Sequence, residues 1–480
     1  MIGLLIFLSL PIIPSLISLV SSSTLVLGIS SIITNTALTL AFLSLIIEDW
    51  NICPLFKSIK LDLLSGYGLA IVISVSLLMS IYALGYFKQQ EKNDDFRNEG
   101  VKKFYFMSGL LLSIMIFTCI SGDIGWSWIA IEVTTLLFAM LLGIFRKSLS
   151  LESAWNYLII CSVGLILALM GIVILLVSYS GISGEEISLK LSSFSSNLGN
   201  FDPLLVKVAF IFLLIGLGTK MALAPMHAWL PDAIEKAEIP LAVFMTCALE
   251  QVVFIFFTRL KFIVDQALGN SDFTSSLLIF FGMFSVILVS IFIINQYDLR
   301  RMLGNASIQS IGIACIALGL STQSALVAGL SYLFFQSLIK SALFFLIGNV
   351  LLVYGSTKIK DIGFIIKRLP TTAIFLLIAL LGVNAFPPFA VFNAKFTILK
   401  ELIHYSIPIT IVFLLTTTLI FASFVYSFCK VIFFEAEDGQ KQQVSPINYK
   451  SNIILYTKIP IALGLGLSIL GTFIVDKIKF

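Results

Sequence analysis

The stretch Gly218–Asp232, GTKMALAPMHAWLPD, follows the uncharged run AFIFLLIGLG and then sets a lysine, two prolines, a histidine and an aspartate close together. Pro225 comes five residues after Lys220, and Pro231 six further on. Proline removes a backbone donor and clashes with the preceding turn, so a helix begun near 204 should open at about 221–226 and restart as a short second piece. Inside a bilayer, backbone that leaves the helix must be buried in protein or line a wet cavity. This reading therefore puts Lys220 beside a polar interruption near mid-membrane, with His227 in the same region.

The rest of the chain supplies the membrane. Of 480 residues, 59% are hydrophobic and only 12% charged, against about 25% charged in soluble domains. Runs of roughly 20 apolar residues, the length of a membrane-spanning helix, read at about 3–20, 24–47, 66–87, 104–121, 124–145, 155–180, 204–222, 239–260, 274–297, 303–320, 324–355, 372–402, 407–433 and 452–476. The expected fold class is an all-α membrane protein with about 14 transmembrane helices. The alternating short strands of a barrel are absent from the pattern. The spans at 303–320 and 372–402 are the least regular. The first span has no basic residue before it and reads as retained rather than as a cleaved signal.

Charge gives orientation. Connections after odd-numbered spans hold 17 basic residues, among them Lys88, Lys92, Arg97, Lys102, Lys103, Arg300 and Arg301; those after even spans hold five, Lys57, Lys60, Lys190, Arg259 and Lys261. The positive-inside rule puts the loop KQQEKNDDFRNEGVKK in the cytoplasm and both termini outside a cell (inner or cytoplasmic) membrane. The net charge of +4 thus reflects topology, and nothing points to nucleic acid. The six cysteines have no metal-binding spacing, and His227 and His404 are the only histidines. No nucleotide-binding glycine loop occurs. The expectation is no cofactor, no metal and no catalytic site of the chain's own.

Once residues of connections and span ends are set aside, the charged residues left within spans are Glu132, Lys220, Glu250, Lys340, Lys395 and Lys400. A charge at the bilayer centre costs at least about 2.5–3.5 kcal/mol and by default marks an ion path. Lys400, near a span end, is better read as reaching the interface. Glu250 could be held by a structural partner. Glu132, flanked by apolar residues in WSWIAIEVTTLLFAMLL, and Lys220 both lie near mid-membrane and read as a pair. A static pair stabilises poorly; a movable one has a use. At about 6 Å and an effective dielectric of about 20 their coupling is roughly 3 kcal/mol, comparable with about 2.3 kcal/mol per charge per 100 mV of membrane potential. A second interruption lies in GVNAFPPFAVFNAKF, where Pro387 and Pro388 precede Lys395. Two proline-broken helices, each near a lysine, are what an internally repeated transporter presents.

With these residues the chain resembles the proton-translocating, antiporter-like subunits shared by respiratory complex I, Mrp-type cation/proton antiporters and energy-converting hydrogenases. The resemblance covers about residues 65 to 433. It rests on the glutamate of WIAIEVTTLL, the lysine and loop of GTKMALAPMHAWLPDA, DLRRMLGNASIQSIG, SLIKSALFFLIGN and FPPFAVFNAKF. WNYLIICSVGLILALMG and LIKSALFFLIGNVLLVYGSTKI look closest to the F-type subunit of the hydrogenase-4 group.

The resemblance implies N-terminal helices 1–3 (1–100), two inverted five-helix repeats (101–260 and 261–433) with discontinuous helices 7 and 12, and a last helix (434–480) without a long lateral extension. It also implies a proton relay of Glu132, Lys220, Lys340 and Lys395, with His227, Glu250, Gln251 and Gln336 as secondary or hydrating residues and Pro225, Pro387 and Pro388 at the helix breaks. Gln251 stands where many relatives have a lysine, Gln336 where many have a histidine, and Lys395 where hydrogenase-like relatives tend to have an acid. The implied setting is a multi-subunit, redox-driven complex with further antiporter-like subunits, other membrane subunits and a peripheral redox module. The alternatives are a subunit of an Mrp-type Na⁺/H⁺ antiporter without redox chemistry, and a non-conducting spacer.

Overall fold

In lipid every backbone N–H and C=O must find its partner within the protein, and a run of apolar residues does so by closing into helix. The computed structural model describes residues 8–21, 23–47, 62–90, 95–144, 148–183, 189, 191, 201–436 and 451–475. Among the described residues the regular structure is helical, with bridge positions at Ser121 and Asp123 and an isolated pairing of Asp298 and Lys358. Its helices are α1 (Ile12–Val20), α2 (Thr24–Ile47), α3 (Leu63–Gln90), α4 (Asp95–Ile120), α5 (Ile124–Gly143), α6 (Ser148–Ser183), α7 (Pro203–Lys220) and α8 (Trp229–Lys236). Then come α9 (Ile239–Leu268), α10 (Asp272–Phe292), α11 (Leu299–Gly319), α12 (Gln323–Tyr354), the short α13 (Ile365–Arg368), α14 (Pro370–Val383), α15 (Ala390–Tyr405), α16 (Ile407–Phe433) and α17 (Ser451–Val475). Among the described residues, 11 helices are long and apolar enough to cross a membrane, and Pro370–Val383 and Thr457–Gly471 are shorter apolar helices.

The span 372–402 is two helices, α14 and α15, on either side of a break at the expected prolines. Two differences from the sequence reading have physical causes. The expected irregular span 303–320 is the regular helix α11, all of whose apolar window is buried. Its Asn305, Ser307, Gln309 and Ser310 lower the hydropathy but face protein rather than lipid. Asp298 caps its start, accepting from the N–H groups of Arg300 and Arg301. Finally, α9 runs to Leu268, so Arg259 and Lys261 lie within a helix and are buried. They do not belong to a connection and drop out of the orientation count.

Arg259 forms a clasp. Its guanidinium donates to Asp62 at 2.9 Å, to Ser65 Oγ at 2.6 Å and to the carbonyls of Cys119 and Ser121 at 3.0 and 3.2 Å. One buried cation thus joins the start of α3, the end of α4 and the middle of α9.

The α6–α7 and α10–α11 pairs approach at backbone distance. A Cβ on Gly216 of α7 would sit 2.4 Å from the Ala168 nitrogen of α6, and one on Gly312 of α11 would sit 2.9 Å from the Gly282 carbonyl of α10. Without a hydrophobic driving force between helices in lipid, small residues at the crossing let dispersion and polar contacts hold the pair. These two tight pairs carry the walls around the lysines described next.

Candidate functional site

Two helix interruptions organise the site, and they share one backbone pattern. At the first, the N–H groups of Met221, Ala222 and Leu223 bond to the carbonyls of Leu217, Thr219 and Gly218, and Met226 N–H bonds to Leu223. At the second, those of Asn384, Ala385 and Phe386 bond to Leu380, Gly382 and Leu381, and Phe389 N–H bonds to Phe386. Ala222 and Ala385 both have left-handed φ, 56° and 60°, and the Ala224–Pro225 and Pro387–Pro388 peptides are cis. This is the Schellman type of helix ending, normally built on glycine. A left-handed alanine costs roughly 1–2 kcal/mol, so each break holds a conformation that its surroundings must impose.

Lys220 is the last residue of α7 and is fully buried. Its Nζ donates to Thr135 Oγ1 of α5 at 2.7 Å and to the Tyr157 hydroxyl of α6 at 2.6 Å. Tyr157 packs edge-on against Trp229, the first residue of α8, at 4.9 Å, and Trp229 Nε1 donates to the Thr219 carbonyl at 2.9 Å. Glu132 lies one turn before Thr135 on α5, so the two share a face. Its Oε1 accepts from Ser162 at 2.9 Å, and its Oε2 is buried without a hydrogen bond. Glu132 and Lys220 form no ion pair within 4.0 Å. Hydroxyls rather than the carboxylate hold the ammonium, which lets it keep hydrogen bonds with its carboxylate neighbour set apart. His227 lies in the non-helical segment between α7 and α8, buried, with Nδ1 unbonded and its ring 6.1 Å from that of Phe292.

Lys340, in the middle of α12, is equally buried. Its Nζ donates to the Thr246 carbonyl of α9 at 3.1 Å and to Ser307 Oγ of α11 at 3.0 Å. Thr246 sits in a π-helical stretch, Phe244–Leu249, a distortion that recurs at functional sites because it loosens the backbone ladder. The same carbonyl accepts from Gln251 Nε2 at 3.3 Å. Glu250 follows directly, with both carboxyl oxygens buried and hydrogen-bonded to nothing, and Gln251 Oε1 is in the same condition. A buried carboxyl without partners is costly.

Gln336, one turn before Lys340, donates to the carbonyl of Val383 at 3.1 Å, while its Oε1 has no partner. Val383 ends α14, so Gln336 ties the Lys340 helix to the second break. Lys395 lies in α15 beyond that break, partly exposed, with Nζ 5.9 Å over the Phe413 ring. Lys400, one turn further along, is exposed beside Phe396. The two breaks therefore carry their lysines differently: Lys220 is on the near side of its break, Lys395 on the far side.

Sequence reasoning did not single out Thr135, Tyr157, Trp229, Thr246 or Ser307. Thr135 had a usable signal in its i,i+3 spacing from Glu132. The others are ordinary residues whose roles come from tertiary packing.

The family model described as NADH:quinone oxidoreductase/Mrp antiporter, transmembrane, matches residues 121–421, which contain every residue of this candidate site. The chain belongs to this family. A hydrogenase-4 component F homolog from Methylacidiphilum infernorum is 32% identical over 293 residues, 61% of this chain and 61% of that relative, so the chain aligns with about three-fifths of its length. NADH-quinone oxidoreductase subunit N from Desulforudis audaxviator is 25% identical over 86% of this chain and 81% of its own. A chain of the membrane-bound sulfane sulfur reductase, an archaeal respiratory membrane complex, superposes with a TM-score of 0.81 at 20% identity, covering 99% of this chain and 96% of that one. The fold is thus that of an antiporter-like membrane subunit, and relatives in this family are components of multi-subunit membrane complexes.

Proposed function

We propose that the chain is a proton-translocating, antiporter-like subunit of a multi-subunit, redox-driven complex of the NADH dehydrogenase or hydrogenase kind. Glu132, Lys220, Lys340 and Lys395 pass protons along the middle of the membrane, with His227, Glu250, Gln251 and Gln336 holding or hydrating the intervening path. Electron transfer belongs to a peripheral module of the complex. One observation carries this reading: Lys220 is fully buried at the end of a broken helix and is held by two hydroxyls rather than by a counter-ion. Burying an ammonium without a counter-ion in contact is a costly way merely to lock helices together. Here the carboxylate of Glu132 stands near but unbonded to it, so a displacement of either group changes how tightly the lysine holds its proton.

For an assumed separation of roughly 6 Å and an effective dielectric of about 20, that coupling is about 3 kcal/mol. This suffices to bias one proton per cycle against about 100 mV, at 2.3 kcal/mol per charge. From Lys220 the path continues to Lys340, whose ammonium rests on a carbonyl and a hydroxyl. From there Gln336 connects to the backbone of the second break, and Lys395 lies beyond it.

The proposal includes the topology expected from the sequence: about fourteen helices, both termini outside, and two inverted five-helix repeats, 101–260 and 261–433, between N-terminal and C-terminal helices. The matched hydrogen-bond patterns at the two breaks support the repeat.

Proton translocation by the purified complex in proteoliposomes tests the relay. Lys220→Ala, assembled at the parental level, is expected to abolish translocation through this subunit; undiminished pumping sinks the relay. The family description names Mrp antiporters beside oxidoreductases, which favours a Na⁺/H⁺ antiporter as the second reading. Co-purification of iron–sulfur or nickel subunits decides between the two.

A further inference from the structure

The short helix α8 touches the surroundings of both buried lysines. At its first residue, Trp229 packs on Tyr157 and bonds the Thr219 carbonyl, so it abuts the groups that hold Lys220. At its other end it is fastened to α11. Arg301 bonds Asp232 and Glu235, one turn apart on α8, at 2.9 Å each, and its third partner is the Tyr297 hydroxyl at 2.9 Å. The Glu235 carboxylate is largely buried, which makes this end of the clamp more than a surface ion pair. Beside it the two backbones close up: a Cβ on Gly304 of α11 would lie 3.3 Å from Pro231 Cα. One turn beyond Gly304 on α11 stands Ser307, the hydroxyl that accepts from Lys340.

The geometry points to α8 as a coupling lever between the two lysine stations. We propose that Arg301, by gripping Asp232 and Glu235, makes α8 and the first two turns of α11 move as one body. A shift at Tyr157 and Lys220 then reaches Ser307 and Lys340 without an intervening proton-carrying side chain. Arg301, Glu235 and Trp229 are positioning residues in this scheme. The alternative is a staple that holds the fold and carries no signal. The inference rests on the relay proposed above.

The experiment measures protons moved per turnover of the intact complex in proteoliposomes, together with the amount of assembled subunit. Arg301→Gln removes the grip at one end of the lever. Trp229→Phe keeps the ring contact at the other end and removes only the Nε1 donor. Each is expected to lower protons per turnover by roughly fivefold or more, the lower range of measured site-to-site couplings, with the subunit still assembled. Because both act through one rigid element, the double variant should be no worse than the more severe single one. Exchanging the charges, Arg301→Glu with Glu235→Arg, should restore part of the ratio. Should Arg301→Gln fail to assemble, Arg301→Lys, which keeps the charge but loses the two-armed grip, takes its place.

Full coupling in an assembled Arg301 variant overturns the lever, as do losses that multiply in the double variant. Lys220→Ala separates this from the reading beneath it. Pumping abolished by Lys220→Ala but untouched by Arg301→Gln leaves the relay standing and removes the lever. Pumping untouched by Lys220→Ala removes both.

Discussion

Tyr157→Phe deletes one oxygen from the wall around Lys220 and little else. The tyrosine is fully buried, with its ring edge-on to Trp229 at 4.9 Å; phenylalanine keeps that contact and fills the same space. What disappears is the 2.6 Å acceptor for Nζ, one of the two that hold it. A hydrogen bond from a charged donor contributes about 1.5–3 kcal/mol net. Removing it shifts the balance between the held position of the ammonium and any other by roughly 10–150-fold. Thr135 still accepts at 2.7 Å, so the amine is loosened rather than stranded. The expected outcome is a loss of proton translocation of roughly tenfold or more, with normal assembly and normal turnover of the partner module. Thr135→Val removes the other acceptor at almost constant shape and should give a loss of the same order. The two together should strand a buried ammonium and cost more than either. The assay is dye-reported acidification of proteoliposomes, scaled to turnover and to the quantity of subunit. Undiminished translocation in a fully assembled Tyr157→Phe complex would refute the argument that these hydroxyls set the state of Lys220.

Two further predictions concern groups away from that wall. Burial alone would push the Asp62 carboxyl up, but the Arg259 guanidinium and the hydrogen bonds from Ser65 outweigh it and hold it below the ordinary 3.8. A carboxyl depressed in the folded state gives stability that is complete above its unfolded value and is lost as pH falls through the folded one. Thermal unfolding in detergent should therefore keep this contribution down to about pH 4 and lose it on further acidification. Asp62→Asn should flatten that acid limb; an unchanged limb would show that the clasp does not titrate there. At Lys340, Glu250→Gln keeps the shape of the side chain and removes its proton chemistry. Translocation should fall roughly 10²-fold, the lower range for a positioned proton donor or acceptor. Infrared difference spectra should also lose a carboxyl band, and retention of both activity and band would exclude Glu250.

Much of the fold was legible because lipid leaves the backbone few choices. Apolar run lengths located the helices, and Pro225, Pro387 and Pro388 located the breaks, since proline acts on its own neighbouring turn whatever the tertiary setting. Errors fell where hydropathy averages over faces. The helix α11 looked irregular because Asn305, Ser307, Gln309 and Ser310 dilute its apolar score, yet all four point into protein. Arg259 and Lys261 looked like loop residues because charge normally ends a span; acceptors from α3 and α4 let Arg259 stay inside, and Asp265 at 2.6 Å does the same for Lys261. For the candidate site, the sequence named the charges but not their partners. Pairing Glu132 with Lys220 at about 6 Å followed from charge complementarity alone. That argument cannot see that two uncharged hydroxyls, from different helices, hold the ammonium at 2.6–2.7 Å.

The same limit hid an asymmetry between the two breaks. The spacing that relates Met221 to Asn384, Ala222 to Ala385 and Leu223 to Phe386 sets Lys220 opposite Val383, and Lys395 opposite Asp232. The first break thus carries its cation on the helix before the interruption and an acid on the helix after it, where Arg301 holds that acid at 2.9 Å. The second carries a bare carbonyl, reached by Gln336, before the interruption, and its cation after it. A repeated backbone with its charges in different registers makes two unlike stations from one architecture. Two identical lysine sites would hold a proton equally well and give it no direction; unlike ones can be biased by a single displacement. If that is the use of the asymmetry, moving the cation should harm more than removing it. Lys395→Ala combined with Asp232→Lys, which shifts a charge to the matching register, should then translocate less than Lys395→Ala alone.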